Sequence, residues 1–236
     1  MAGRTTTVDI DPAQLERELA ASAEALRTSI DGLRDTGRML HGRGWSLGTS
    51  SNYSVVLDRE PLELLLTASG KDKGRLDRTD FVRVDARGHR IQRPDDRFGA
   101  DNKPSAETLL HVVLAELPET GAVLHTHSVW ATLLSDRYFE EGGLEIEGFE
   151  MLKGLEGITT HETKKWVPIF DNTQDIAALA EEVRPRLHDP ENPLEHGFLI
   201  RKHGLYTWGR DLAAARRHIE VFEFLFECLG RQEFGT

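Results

Sequence analysis

Ala122-Val123-Leu124-His125-Thr126-His127 follows a Pro118-Glu119-Thr120-Gly121 turn and closes an apolar run on two histidines. A short aliphatic run behind a turn reads as a strand, and in an extended backbone residues two apart project from the same face. Both imidazoles can therefore aim at one point, so the strand end predicts a metal site. Two ligands rarely suffice, because a catalytic zinc takes three protein ligands and keeps one position open for water or substrate. The third donor the chain offers is His203, in His203-Gly204-Leu205-Tyr206-Thr207-Trp208-Gly209. It follows another strand-like stretch, Gly197-Phe198-Leu199-Ile200.

Signals on either side of this strand alternate between helix and strand without an internal repeat. Asp11-Pro12 resembles an N-cap followed by proline at the first helical position, leading into helix to about Leu40, where Gly42-Arg43-Gly44 ends it. Strands are expected at Tyr53 to Leu57, Leu62 to Thr67 and Phe81 to Val84, joined by turns of the antiparallel kind. A helix over Ser105 to Leu117 precedes the Ala122 to Thr126 strand, and a short helix over Val129 to Leu134 follows it. Next come a strand at Trp166 to Phe170 and a helix over Thr173 to Leu187. A strand pair at Phe198 to Ile200 and Leu205 to Trp208 then leads to a terminal helix over Asp211 to Gly230. This order favours an α/β fold with a mixed, largely antiparallel sheet flanked by helices. Residues 85–103, rich in Arg, Asp and Gly, read as a long polar loop, the kind that is often mobile or functional.

Composition narrows the class. With 236 residues, 39% of them hydrophobic, the chain can bury one sizeable core, and one domain over 1–236 is expected, with 1–21 as an N-terminal extension. A net charge of −11 disfavours nucleic acid as a partner and points to a small ligand. Cys228 is the sole cysteine, which rules out an intrachain disulfide and a Cys-based zinc site and fits a reducing cytoplasm. No stretch approaches the roughly 20 apolar residues that span a bilayer, so no membrane partner is expected.

The glycine-rich segments match none of the common nucleotide-binding patterns. Gly42 to Gly48 misses the dinucleotide fingerprint and follows a helix rather than a strand, and neither a P-loop nor a G-x-S-x-G elbow occurs. Gly48-Thr49-Ser50-Ser51-Asn52 and Thr67-Ala68-Ser69-Gly70 are hydroxyl-bearing turns beside strands. Their amides and hydroxyls can cradle an anion, with Lys71, Lys73 and Arg75 adding positive potential.

These parts, in this order, resemble the class II aldolase/adducin family from about Leu40 to the terminal helix. The resemblance rests on Gly48 to Ser54, Thr67 to Gly70, Ser105-Ala106-Glu107 with His111 one turn on, the His125/His127 pair, and His203-Gly204. His196-Gly197 has the same His-Gly form, but the Leu-Tyr-x-Trp-Gly after His203 makes that residue the better match. The family implies a zinc ion on His125, His127 and His203, one per subunit. It also implies a sugar phosphate bound by Thr49, Ser50, Ser51, Asn52, Ser69, Gly70 and Ser105, and a homotetramer with active sites near subunit interfaces.

Three finer segments, Gly148 to Gly154, Val167 to Thr173 and His203 to Gly209, resemble the dehydratase branch. Its members are lyases that remove water from a ketose 1-phosphate bearing a methylthio tail, a step of methionine salvage. By position, Glu150 matches the acid/base glutamate of that branch, and its neighbours Phe149 and Met151 suggest partial burial and a raised pKa. Glu107 matches the glutamate of the aldolases and is the rival acid/base, with His111 placed to orient it. A sugar-phosphate aldolase or epimerase and a non-catalytic adducin-like module are the competing functions. The apolar circumference formed by Phe222, Phe224, Leu225 and Phe226 suggests that the terminal helix enters a subunit contact.

Overall fold

A computed structural model describes residues 12–94, 96–189 and 194–235. Asp11, the expected N-cap, and most of the N-terminal extension lie outside them. The described residues build nine strands and five α-helices: α1 (Pro12–Gly42), β1 (Asn52–Arg59), β2 (Leu62–Thr67), β3 (Phe81–Asp85), β4 (Arg90–Ile91), α2 (Thr108–Ala115), β5 (Ala122–Thr126), α3 (Val129–Arg137), β6 (Gly143–Glu147), β7 (Lys164–Phe170), α4 (Ile176–Arg186), β8 (Gly197–Ile200), β9 (Gly204–Gly209) and α5 (Leu212–Phe234). The strands form one sheet in the order β4-β3-β2-β1-β5-β9-β8-β7-β6. Every pairing is antiparallel except β7 with β8.

Alternation along the strands sorts side chains to two faces. Tyr53, Leu65, Leu124 and Leu205 pack with Leu33 and Leu40 of α1, Leu134 of α3 and Phe222 and Phe226 of α5. On the other face Leu64, Leu66 and Val84 meet Val112 of α2, while Val123, Phe198 and Tyr206 meet Leu114 of α2 and Val183 of α4. Aspartate or serine caps start three helices: Ser128, Asp175 and Asp211 accept from the amides of Ala131, Ala178 and Ala214. Among the described residues, no helix is long and apolar enough to cross a membrane.

Two expectations change. Residues 85–103 carry β4 and are tied down at several points. Arg83 holds Asp96 (2.9 Å), Arg90 donates to the carbonyls of Ala100 and Asn102 (2.7 Å each), and the Asn102 amide donates to the Thr79 and Phe81 carbonyls. This loop is pinned by buried polar contacts, which a composition rich in charge and glycine does not reveal. Of the four apolar residues singled out in α5, Phe222, Leu225 and Phe226 are fully buried within the chain's own core and Phe224 stays exposed, so the core accounts for most of that apolar surface.

Candidate metal and substrate site

Strand register brings the site together. Asn52 of β1 sits opposite His125 of β5, which sits opposite Tyr206 of β9, so three neighbouring strands place one row of side chains at the same level. Tyr206 stacks on the His125 ring at 4.1 Å. β9 approaches β5 so closely here that a Cβ on Gly204 would fall 1.9 Å from the Thr126 carbonyl oxygen. Only glycine fits, and this puts the preceding His203 beside the β5 histidines. His127 is fixed through its amide, which donates to the Trp45 carbonyl (2.8 Å).

The Nε2 atoms of the three histidines converge, 2.8 Å apart for His125 and His127 and 3.4 Å for His125 and His203. His125 Nδ1 sits 2.9 Å from the Leu205 carbonyl, to which only a protonated nitrogen can donate, so the Nε2 lone pair is left free. Burial pushes the pKa of His127 down to about 4, with His203 and Lys73 as lesser causes, and drives that of His125 well below its usual value. Neutral imidazole is the form that ligates metal. One ligand atom from each histidine lies within 4.8 Å of the others. Three converging imidazole nitrogens match the donor set of an open zinc site, so these residues fit a divalent ion.

Glu107 faces the same point, its carboxylate 3.2 Å from His203 Nε2 and 3.5 Å from His125 Nε2. Behind it runs a chain of polar contacts. The Asn52 amide donates to Glu107 (2.7 Å) and to Ser105 (3.2 Å), which leaves its oxygen to accept from His111 Nε2. His111 Nδ1 must then accept from the Ser54 hydroxyl (2.8 Å). Complete burial pushes the His111 pKa down to about 3, so the ring stays neutral. His111 thus orients Glu107 through Asn52 rather than by direct contact.

These groups open onto a cavity of about 290 Å³. Thr49, Ser50, Ser51, Asn52, Ser69, Gly70 and Ser105 all line it, together with Glu107, His127 and His203. Thr49 and Ser51 hold left-handed φ values of 63° and 69°, an unfavourable conformation for residues other than glycine that is found where backbone is shaped for a ligand. Lys73 braces this turn from below, its ammonium donating to the Thr49 and Lys71 carbonyls. Burial lowers the Lys73 pKa to about 8. The cavity's far wall comes from Thr173, Gln174 and Ile176 at the start of α4. Gln174 carried no recognisable signal in the sequence.

Glu150 stands elsewhere. It begins a 3-10 turn, Glu150–Gly154, does not line the cavity, and its side chain is 70% exposed. Lys153 (2.7 Å) and His161 (3.2 Å) pair with it, and Lys153 holds its pKa below the usual value. The raised pKa expected from Phe149 and Met151 is therefore corrected: Phe149 packs on the core, but Met151 points outward with Glu150. His196 also lies apart, in a larger cavity of about 590 Å³ with Trp208 and His218 at the other end of β9.

The profile of the class II aldolase and adducin N-terminal domain matches residues 31–229. Methylthioribulose-1-phosphate dehydratase of Marinobacter nauticus is 51% identical over 203 residues, 85% of this chain and 92% of that protein. The protein of the same name from Pseudomonas fluorescens is 52% identical over 195 residues, 82% and 88% of the two chains. Among solved structures, an L-fuculose 1-phosphate aldolase superposes with a TM-score of 0.68 at 22% identity, covering 89% of this chain and 88% of its own. The L-fuculose-1-phosphate aldolase of Thermus thermophilus gives 0.65 at 21% identity, covering 90% and 97%. These two likenesses concern the fold alone. The chain belongs to the class II aldolase and adducin family.

Proposed function

We propose that this protein is a zinc-dependent methylthioribulose-1-phosphate dehydratase that works in the cytoplasm in methionine salvage. The observation that carries the reading is the convergence of three histidine nitrogens and the Glu107 carboxylate on one point, at the mouth of a hydroxyl-lined cavity. Identity of about half to the curated dehydratases supports the choice of substrate over the sugar-phosphate aldolases, whose likeness is confined to fold.

In the substrate, C2 carries the carbonyl, C3 and C4 carry hydroxyls, and C1 carries the phosphate. Zinc on His125, His127 and His203 would supply Lewis acidity towards the C2 and C3 oxygens, making the C3 proton removable. Thr49 to Asn52, Ser69, Gly70 and Ser105 hold the phosphate with neutral donors, and Lys73 lends positive potential from beneath the turn. Glu107, fixed by the Asn52 amide, takes the C3 proton. The C4 hydroxyl leaves as water on receiving a proton, and the resulting enol tautomerises to 2,3-diketo-5-methylthiopentyl 1-phosphate.

Glu150 is the second acid/base in this reading. Because it is exposed and lies outside the cavity of its own chain, it can serve only in the site of another copy, which accords with a homotetramer whose sites lie near subunit interfaces. The test is a coupled assay of zinc-loaded protein on methylthioribulose 1-phosphate, with fuculose 1-phosphate alongside and His127→Ala as control. Diketone formation that disappears in the control is expected. Aldehyde release from fuculose 1-phosphate without diketone would move the protein to the aldolases. Mixing Glu107→Gln with Glu150→Gln subunits checks the shared site: activity is regained if the two residues act from different chains.

A further inference from the structure

Glu223 is a carboxylate in the wrong place for a core residue. It lies on α5 among Val221, Phe222, Leu225 and Phe226 and is 2% exposed. One carboxylate oxygen, Oε1, accepts from the Thr126 hydroxyl at 3.2 Å, and the Ser128 side chain lies beside the carboxyl group. The second oxygen, Oε2, is buried without a partner. Burying a carboxyl with half its acceptors unused is costly, and an aliphatic side chain would fill this position at lower cost. Core packing therefore does not explain it.

What Glu223 touches does explain it. Thr126 and Ser128 alternate with His125 and His127, and in an extended segment alternate side chains face opposite ways. The histidines face the point where their nitrogens converge and the two hydroxyls lie on the side of α5. The Thr132 hydroxyl of α3 then donates to the Ser128 carbonyl (2.7 Å) and reaches the His203 carbonyl (3.3 Å). The Ser135 hydroxyl accepts from the Lys202 amide (3.0 Å), one residue before His203. A single polar tie thus runs from Glu223 through the β5 strand end to the turn carrying the third histidine.

We propose that Glu223 is a positioning residue for the metal site, holding His125 and His127 in register from behind through Thr126 and Ser128. It touches neither the metal point nor the substrate cavity. The role rests on the three histidines binding metal, and a zinc titration of the wild-type protein tests that part by itself.

The experiment compares wild type, Glu223→Leu, Glu223→Gln and Thr126→Val. Each is assayed for zinc affinity by competition with a chromophoric chelator, for the visible spectrum of the cobalt-loaded protein, and for metal-free melting temperature. Outer-shell partners of metal ligands are typically worth about 10- to 100-fold in metal affinity, and a loss in that range is expected for Glu223→Leu, without a fall in metal-free melting temperature. Glu223→Gln, whose amide oxygen can still accept from Thr126, should fold and keep near-wild-type affinity and spectrum. Thr126→Val should weaken zinc and add little to Glu223→Leu in the double variant, since both cut the same tie. Wild-type zinc affinity in Glu223→Leu overturns the proposal, as does a Gln variant no better than Leu. Failure of the wild type itself to bind zinc overturns the metal reading instead.

Discussion

The two ends of β9 each gather histidines around a cavity, and they differ in what the ring nitrogens are doing. At the Trp208 end His218 is spent at both nitrogens: Nδ1 donates to the Trp208 carbonyl (2.7 Å) and Nε2 accepts from the Glu156 amide (3.2 Å). His196 there turns Nε2 to the Glu156 carbonyl (2.7 Å) and keeps Nδ1 buried without a hydrogen-bond partner, in no cluster of three metal-ligating groups among the described residues. These rings act as cross-links between loops. At the Gly204 end, by contrast, the Nε2 atoms of His125, His127 and His203 face one another and a carboxylate. The cavity at the cross-link end is about twice as large, yet the proposed chemistry belongs to the smaller one. Volume does not locate an active site; converging lone pairs with no backbone partner do.

Removing a nitrogen at either end breaks this contrast most sharply. His203→Ala should abolish zinc binding and reduce diketone formation by more than about 100-fold, beyond the usual cost of an outer-shell change. His196→Ala should leave zinc affinity unchanged and act only on melting temperature. Next in size is Glu107→Gln, which keeps the contact with Asn52 but cannot take a proton. A fall in kcat of about 10²- to 10⁴-fold with zinc content intact is expected, the range for a general base. Steady-state kinetics with metal analysis on the same samples separates this from loss of the ion.

Smaller effects sharpen the boundaries of the site. Ser69→Ala removes one neutral donor from the Thr67–Gly70 turn and should raise KM about 10-fold or more with little change in kcat, in line with a hydrogen bond of roughly 1.5 kcal/mol or more to a charged group. His111 offers a test through pH. Its folded pKa of about 3 lies below the ordinary 6.5, so between these values the unfolded chain binds more protons than the folded one. Stability contributed by the neutral ring is complete above pH 6.5 and is lost as pH falls towards 3. His111→Gln, which can still bond Asn52 and Ser54, should therefore lose less stability than wild type across that window in pH-dependent melting. Parallel curves for the two proteins would remove His111 from the acid response.

Much of this was legible in the sequence because the signals are local. Short runs rich in apolar residues with turn residues at each end mark β1, β2, β3 and β5, and the spacing of His125 and His127 on an extended strand implies a shared direction. β6 hid behind Glu140-Glu141-Gly142-Gly143, which reads as a turn, and β4 is too short to show a period. The link from Glu107 through Asn52 to His111 spans more than fifty residues and needs the β1–β5 register to exist. Glu223 reads in sequence as a solvated helix charge, and only the packing of α5 against β5 shows otherwise. Glu150 fails in the opposite sense: its apolar sequence neighbours are not its spatial neighbours, and Lys153 and His161 set its environment.

The central claim is that the convergence of free nitrogens, not cavity size, marks the catalytic end of β9. Equilibrium zinc titration of wild type, His203→Ala and His196→Ala tests it most directly. One zinc per subunit in the wild type and in His196→Ala, with none held by His203→Ala, is the predicted result. Zinc retained by His203→Ala, or lost from His196→Ala, would contradict it.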